Sequence, residues 1–96
     1  MILMGESKII VFKDDEGGYY SWRQENPHGF VLNTNKYNYS MLHRATCDYI
    51  KKYAKNRHTF TSNGVFKVCS REIPLLKAWF KQKGFELKDY CKICNP

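Results

Sequence analysis

The sequence predicts an α+β domain in which helices cover one face of an antiparallel sheet. Short β-branched and aromatic segments alternate with turn-forming Gly, Pro, Asn and Asp residues in the first third of the chain. Two later segments instead carry apolar residues at helical spacing. The predicted order is three strands, a helix, two strands, a helix and a cysteine-bearing tail. Helices and strands separated in this way are typical of α+β domains.

The N-terminal third predicts a three-stranded meander. Residues 8–13 are β-branched and apolar and form the first strand, and the acidic, glycine-rich residues 14–18 form the turn after it. Aromatic residues dominate the second strand, residues 19–23. A break at 26–29, Asn-Pro-His-Gly, precedes the third strand at 30–33.

The first helix is predicted to begin at a cap supplied by Asn38 or Ser40 and to run to about Ala54. The side-chain oxygens of both residues can accept a hydrogen bond from an N–H group at the helix start. On a helical wheel, one side of this segment is apolar and the opposite side is basic. We therefore expect a helix with one buried and one positively charged face.

A second hairpin and a second helix are predicted in the C-terminal half. Residues 58–61 and 65–69 form the hairpin, because Asn63-Gly64 supplies the positive φ angles of a tight turn. The second helix is predicted to be capped by Ser70 and to run to Lys83, with a proline in its first turn and a glycine after its end.

A short strand at residues 85–87 is the last element predicted before the tail. No internal repeat or linker divides the chain, so residues 1–96 are predicted to form a single compact domain. Hydrophobic residues make up 43% of the chain and aromatic residues 16%, which excludes collagen-like, low-complexity and wholly disordered classes. A chain of this length has a modest core.

The cysteines predict a zinc-stapled C-terminal tail. Cys91 and Cys94 have the C-x₂-C spacing that directs two thiolates at one metal ion. The predicted structural zinc site consists of Cys47, Cys69, Cys91 and Cys94, and His43 is the alternative ligand if Cys47 or Cys69 turns into the core. His43 and Cys47 share a flank of the predicted first helix. A redox or disulfide role for the Cys91–Cys94 pair and inert buried thiols are the alternatives.

The positive charge lies mainly in the C-terminal two thirds of the chain. The formal net charge is +7, with three basic and five acidic residues in 1–34 and thirteen basic and four acidic residues in 35–96. Such a polarised charge is typical of proteins that bind polyanions. We therefore expect a basic helical surface that contacts nucleic-acid phosphates through Arg44, Lys51, Lys52, Lys55, Arg57, Lys77 and Lys81.

Two other functions are compatible with the sequence. The second predicted strand offers an aromatic sheet face with a cation, which suits a protein-interaction or accessory subunit that binds an acidic partner; its residues are Tyr19, Trp22 and Arg23. A small metal-dependent nuclease or hydrolase would use the histidines and the acidic turn, that is His28, His43, His58 and residues 14–16. No catalytic motif favours an enzyme over a binding module.

No export signal or membrane segment is found in the sequence. The N-terminal apolar stretch lacks a basic flank and a cleavage site, and the longest later apolar run, residues 9–12, is far shorter than the ~20 residues of a membrane helix. We therefore expect a cytoplasmic protein that has no membrane partner and needs no small-molecule cofactor.

Overall fold

The computed structural model describes residues 8–35, 40–47, 50, 60–62, 64–84, 87 and 89–96. These residues form an α+β structure with four strands and two helices. In chain order the elements are β1 (Ile10–Phe12), α1 (Glu16–Glu25), β2 (Phe30–Asn35), β3 (Ser40–Arg44), β4 (Val65–Ser70) and α2 (Ile73–Gln82).

The four strands form one antiparallel sheet in the order β1-β4-β2-β3. One row of paired residues crosses the whole sheet, from Ile10 through Cys69 and Val31 to His43. The predicted N-terminal meander is wrong, because β1 pairs with β4 and not with the next segment of the chain. Among the strands that the structure describes, only β2 and β3 are consecutive strands paired with each other.

The segment predicted as the second strand is helix α1. Asp15 is its N-cap, and its carboxylate accepts a hydrogen bond from the N–H of Gly18 at 2.9 Å. A β-carbon at Gly18 would lie 2.3 Å from that carboxylate, so the glycine belongs to the capped helix start and not to a hairpin turn. Tyr19, Trp22 and Arg23 are buried at the i, i+3, i+4 spacing of one helix face.

The start of the predicted first helix is strand β3. Its five residues pair with residues 30–34 of β2, with Leu42 opposite Leu32 and His43 opposite Val31. Alternation then sends the Leu42 side chain to one face of the sheet and that of His43 to the other. Apart from Ile50, which is buried, the predicted helix beyond Cys47 lies outside the described residues.

The predicted second hairpin is also wrong in its first strand, because both edges of β4 are already paired, with β1 and with β2. Residues 60–62 bind the start of α1 instead. The N–H groups of Phe60 and Thr61 donate to the Glu16 carboxylate at 3.0 and 2.7 Å, and the Ser62 hydroxyl donates to it at 2.9 Å. Residues 58 and 59 lie outside the described part of the chain, and Gly64 has the expected positive φ of 84°.

The two helices cover opposite faces of the sheet, whereas the sequence predicted two helices on one face. Tyr19 of α1 packs in one cluster with Val31 and Cys69, on the side called here the α1 face. Leu76 of α2 packs in a second cluster with Val68 and its neighbours, on the α2 face. The arrangement differs because residues 19–23 lie in a helix on one face and are not a strand of the sheet.

Helix α2 begins at Ile73, and its N-cap lies two residues after the predicted cap, Ser70. Ser70 is the last residue of β4, and its hydroxyl accepts a hydrogen bond from the N–H of Glu72, the N-cap residue, at 3.2 Å. The helix ends near Gly84, which has the φ of 90° expected of a glycine after a helix terminus. Within the described ranges, no helix has the length and apolar character needed to cross a bilayer.

Candidate metal centre

The C-terminal tail runs alongside β3 at the edge of the sheet. The N–H of Leu42 donates to Asp89 O, and the N–H of Cys91 donates to Leu42 O, both at 2.9 Å. These bonds form a parallel bridge between Leu42 and Tyr90. Because side chains alternate along a strand, Tyr90 shares the α2 face with Leu42, and Cys91 shares the α1 face with His43.

Two tight turns complete the site. The N–H of Cys47 donates to Arg44 O at 3.0 Å and closes the turn that follows β3. The N–H of Asn95 donates to Cys91 O at 3.0 Å and closes the turn that brings Cys94 back towards β3. A strand with its following turn therefore supplies one half of the site, and the tail supplies the other.

Four metal-binding side chains meet at this edge. One ligand atom from each of His43, Cys47, Cys91 and Cys94 lies within 4.8 Å of the others. The sulfur atoms of Cys47 and Cys91 are 3.8 Å apart, too far for a disulfide, in which the sulfurs are ~2.0 Å apart. Two sulfurs bound tetrahedrally at ~2.3 Å to one zinc ion lie ~3.8 Å apart. The four side chains can hold a metal ion, and their chemistry is compatible with zinc.

The environment of the thiols favours ionisation at one position. Burial opposes charge on Cys91, but hydrogen bonds from the N–H groups of Cys94 and Ile93 and from the Cys47 and Cys94 side chains lower the pKa of Cys91. Burial raises the pKa of Cys94 to about 12, although the Arg44 N–H donates to its sulfur at 3.2 Å. A bound cation would lower the pKa of Cys94, because metal binding releases thiol protons.

His43 is suited to metal binding because it stays neutral. Its side chain is fully buried, and this burial, together with the charge of Lys67, lowers the pKa of His43 to about 4. An imidazole binds a metal through an unprotonated ring nitrogen, so the ligand form of His43 is the stable form at neutral pH.

The structure brings three of the four predicted cysteines together and leaves Cys69 outside the group. Cys69 lies two strands from His43 in the same row of the sheet, or about 10 Å at the usual strand spacing. It is fully buried in the α1-face cluster, and burial raises the pKa of its thiol. His43, the alternative ligand, completes the group instead. The two halves of the site meet through strand pairing and not through the flank of a helix.

Comparisons with protein-family models, curated proteins and solved structures found no match for this chain. The function is therefore inferred from the chain's own geometry.

The predicted nucleic-acid residues are only partly described. Lys77 and Lys81 are exposed on α2. Arg44 is also exposed, but its side chain donates to Cys94 O at 2.9 Å and to Asn95 O at 3.0 Å. It therefore anchors the tail beside the metal ligands, a role that no local pattern in the sequence indicated. The remaining predicted residues, Lys51, Lys52, Lys55 and Arg57, lie outside the described residues.

The residues of the predicted interaction face are buried. Tyr19 is 1% exposed, and Trp22 and Arg23 are each 8% exposed. The Arg23 guanidinium lies 5.2 Å from the centre of the Tyr19 ring. Because these residues are on helix α1 and face the sheet, they do not form an exposed aromatic surface.

The acidic segment proposed for a hydrolytic site has structural contacts instead. Asp15 caps α1, and Glu16 binds residues 60–62. His28 is exposed, and His58 lies outside the described residues. Among the described residues, the metal-binding group contains three cysteines and His43 but no carboxylate.

Proposed function

We propose that this chain is a small zinc-stabilised domain that binds nucleic acid, and that its zinc ion has a structural role. The observation that carries the zinc site is the grouping of His43, Cys47, Cys91 and Cys94 within 4.8 Å. Three thiolates and one imidazole are a common ligand set of structural zinc, which prefers tetrahedral sulfur and nitrogen ligands.

The burial of the ligands supports a structural role over a catalytic one. His43 is fully buried, and Cys47 and Cys91 are 2% and 3% exposed. A catalytic zinc ion keeps one coordination position open for water or substrate. Here the protein supplies four ligands, so a tetrahedral ion would have no open position.

The ion would hold the tail to the sheet edge. In the described part of the tail, two backbone hydrogen bonds to Leu42 and the side-chain bonds of Arg44 connect residues 89–96 to β3. A small domain gains much of its stability from such a cross-link, because the metal-binding energy contributes directly to folding.

Thiol reactivity tests the metal site. In the zinc-loaded protein we expect all four thiols to react slowly with a thiol reagent. After chelation, the thiol reagent should react rapidly with Cys47, Cys91 and Cys94. Its reaction with Cys69 should stay slow, because Cys69 lies in the core. Mass spectrometry of the labelled peptides identifies the reactive positions. Rapid labelling of the three ligands before chelation would contradict a metal site.

The exposed cations of α2 support nucleic acid as the ligand. Lys77 and Lys81 are one helical turn apart, and the helix contains no acidic residue to neutralise them. Like charges at this spacing destabilise a helix by about 0.2–0.5 kcal/mol, a cost that phosphates would offset. Residues 35–96 contain thirteen basic and four acidic residues, so the net charge of this region is also positive.

Salt-dependent binding tests this ligand. Binding is measured by fluorescence anisotropy with a labelled oligonucleotide. The logarithm of the binding constant should fall linearly with the logarithm of the salt concentration. The double variant Lys77→Ala/Lys81→Ala should bind more weakly with a smaller salt slope, and Lys8→Ala, an exposed lysine of the acidic third, is the control. Absent binding at low salt, or an unaffected double variant, would contradict nucleic-acid binding. Equal affinity for polyglutamate would assign the surface to an acidic protein partner.

A further inference from the structure

A groove of about 380 Å³ lies on the α2 face, beneath the C-terminal end of α2. Its floor comes from three strands and includes Val11 and Phe66, and Thr34 lies beside them. Trp79 and Phe80 of α2 form the wall. Val11 is 45% exposed, so the groove is accessible from solvent. Its volume is near the lower end of the range for small-ligand pockets.

Two lysines complete the groove. Lys13 follows β1 and Lys83 follows α2, and both are exposed. The ammonium group of Lys83 lies 5.3 Å from the centre of the Trp79 ring, so a cation and a large aromatic surface occur together. Among the described residues, no acidic side chain lines the groove.

We propose that this groove binds one unstacked base of single-stranded nucleic acid, which rests on the nucleic-acid function proposed above. Aromatic side chains bind single strands by stacking on bases, and neighbouring cations bind the phosphates on either side. Trp79 has the first role, and Lys13 and Lys83 have the second. Bases within a duplex are already stacked, so the groove selects single strands over duplexes.

The rest of α2 fits a nucleic-acid strand that passes through this groove. Lys77 lies 5.9 Å from the ring centre of Tyr90 in the tail, whereas Lys83 lies at the groove. The helix thus carries cations both towards the tail and towards the groove. The metal ligands His43 and Cys91 point to the α1 face, so base binding and metal binding use opposite sides of the sheet.

The test compares a ten-residue oligothymidine with a duplex of equal length, using the zinc-loaded full chain. We expect Trp79→Leu to weaken binding of the single strand by about 5- to 150-fold, the range for one lost stacking contact. Trp79→Phe, which keeps an aromatic ring, should have a smaller effect. Duplex affinity should change in neither variant, and the single strand should quench tryptophan fluorescence in the wild type but much less in Trp79→Leu.

The exposed lysines provide a second test that does not depend on core packing. Lys13→Gln/Lys83→Gln should reduce the salt slope for the single strand by about 1.4, at ~0.7 per phosphate contact. If duplex and single strand bind equally and these variants change neither, the groove proposal is overturned while nucleic-acid binding stands. Failure of the wild type to bind either probe overturns both. Thymidine monophosphate that binds as tightly as the oligothymidine overturns single-strand binding in favour of a free nucleotide.

Discussion

Alanine substitutions at Cys91 and Cys69 provide a matched pair for the metal site. Both thiols are buried, Cys91 at 3% exposure and Cys69 at 0%, and both belong to the α1-face cluster. Each substitution removes one sulfur atom from the same hydrophobic environment. Only Cys91 belongs to the group of metal-binding side chains. A difference in metal dependence between the variants therefore reports on coordination and not on packing.

The expected magnitudes separate the two variants clearly. The loss of one buried atom costs about 1 kcal/mol at either position. Free zinc at 1,000 times its dissociation constant stabilises the folded protein by about 4 kcal/mol, or roughly 16–32 °C in Tm for a domain of this size. If the loss of the Cys91 ligand weakens zinc binding about 1,000-fold, the same zinc concentration contributes only about 0.4 kcal/mol.

Thermal unfolding followed by circular dichroism measures this difference. Each protein is melted once in buffered zinc and once in excess chelator. We expect the wild type and Cys69→Ala to lose a similar, large increment in Tm on chelation, and Cys91→Ala to lose only a few degrees. A large fall in Tm on chelation of Cys91→Ala, or only a small fall on chelation of Cys69→Ala, would refute the ligand set.

Three further predictions concern residues around the site and in the core. Arg44→Ala should weaken zinc binding by about 10- to 100-fold in competition with a chelator, because its side chain positions the Cys94 turn; an unchanged affinity would show that the turn is positioned without it. Glu16→Ala should lower the free energy of unfolding, measured in urea, by about 2–3 kcal/mol, because it removes the carboxylate that accepts three hydrogen bonds. A loss below about 0.5 kcal/mol, the lower end of the net contribution of one hydrogen bond, would contradict these contacts. Burial lowers the pKa of Lys67 to about 8 from its ordinary 10.5, so between these pH values the unfolded chain binds more protons and stability rises with pH. From pH 8 to pH 10, the stability of the wild type relative to Lys67→Met should therefore increase by about 2 kcal/mol, and a constant difference would contradict the lowered pKa.

Elements with consistent local signals were predictable from the sequence. Strand β4 is a short β-branched segment after a turn glycine, and α2 has a proline in its first turn and an apolar stripe. Both lie close to their predicted positions. Helix α1 was missed because its aromatic residues favour strands and its glycines favour turns. The i, i+3, i+4 spacing of Tyr19, Trp22 and Arg23 was the helical signal available in the sequence.

The metal site was predictable as far as its local motif reached. The C-x₂-C spacing of Cys91 and Cys94 identified half of the site, and His43 was available as an alternative ligand. The choice between His43 and Cys69 depends on strand order. Strand β2 lies between the strands of the two residues, and only His43 is on the edge strand β3, beside the tail. Pairing between distant segments is not encoded in local periodicity, so the sequence alone could not make this choice.

Metal analysis combined with X-ray absorption spectroscopy of the purified chain tests the proposed zinc site most directly. We expect one zinc ion per chain, bound by three sulfur atoms at ~2.3 Å and one nitrogen atom at ~2.0 Å. A shell of four sulfur atoms would contradict the ligand set by placing Cys69 on the metal in place of His43. A chain that binds no zinc under reducing conditions would contradict the metal site itself.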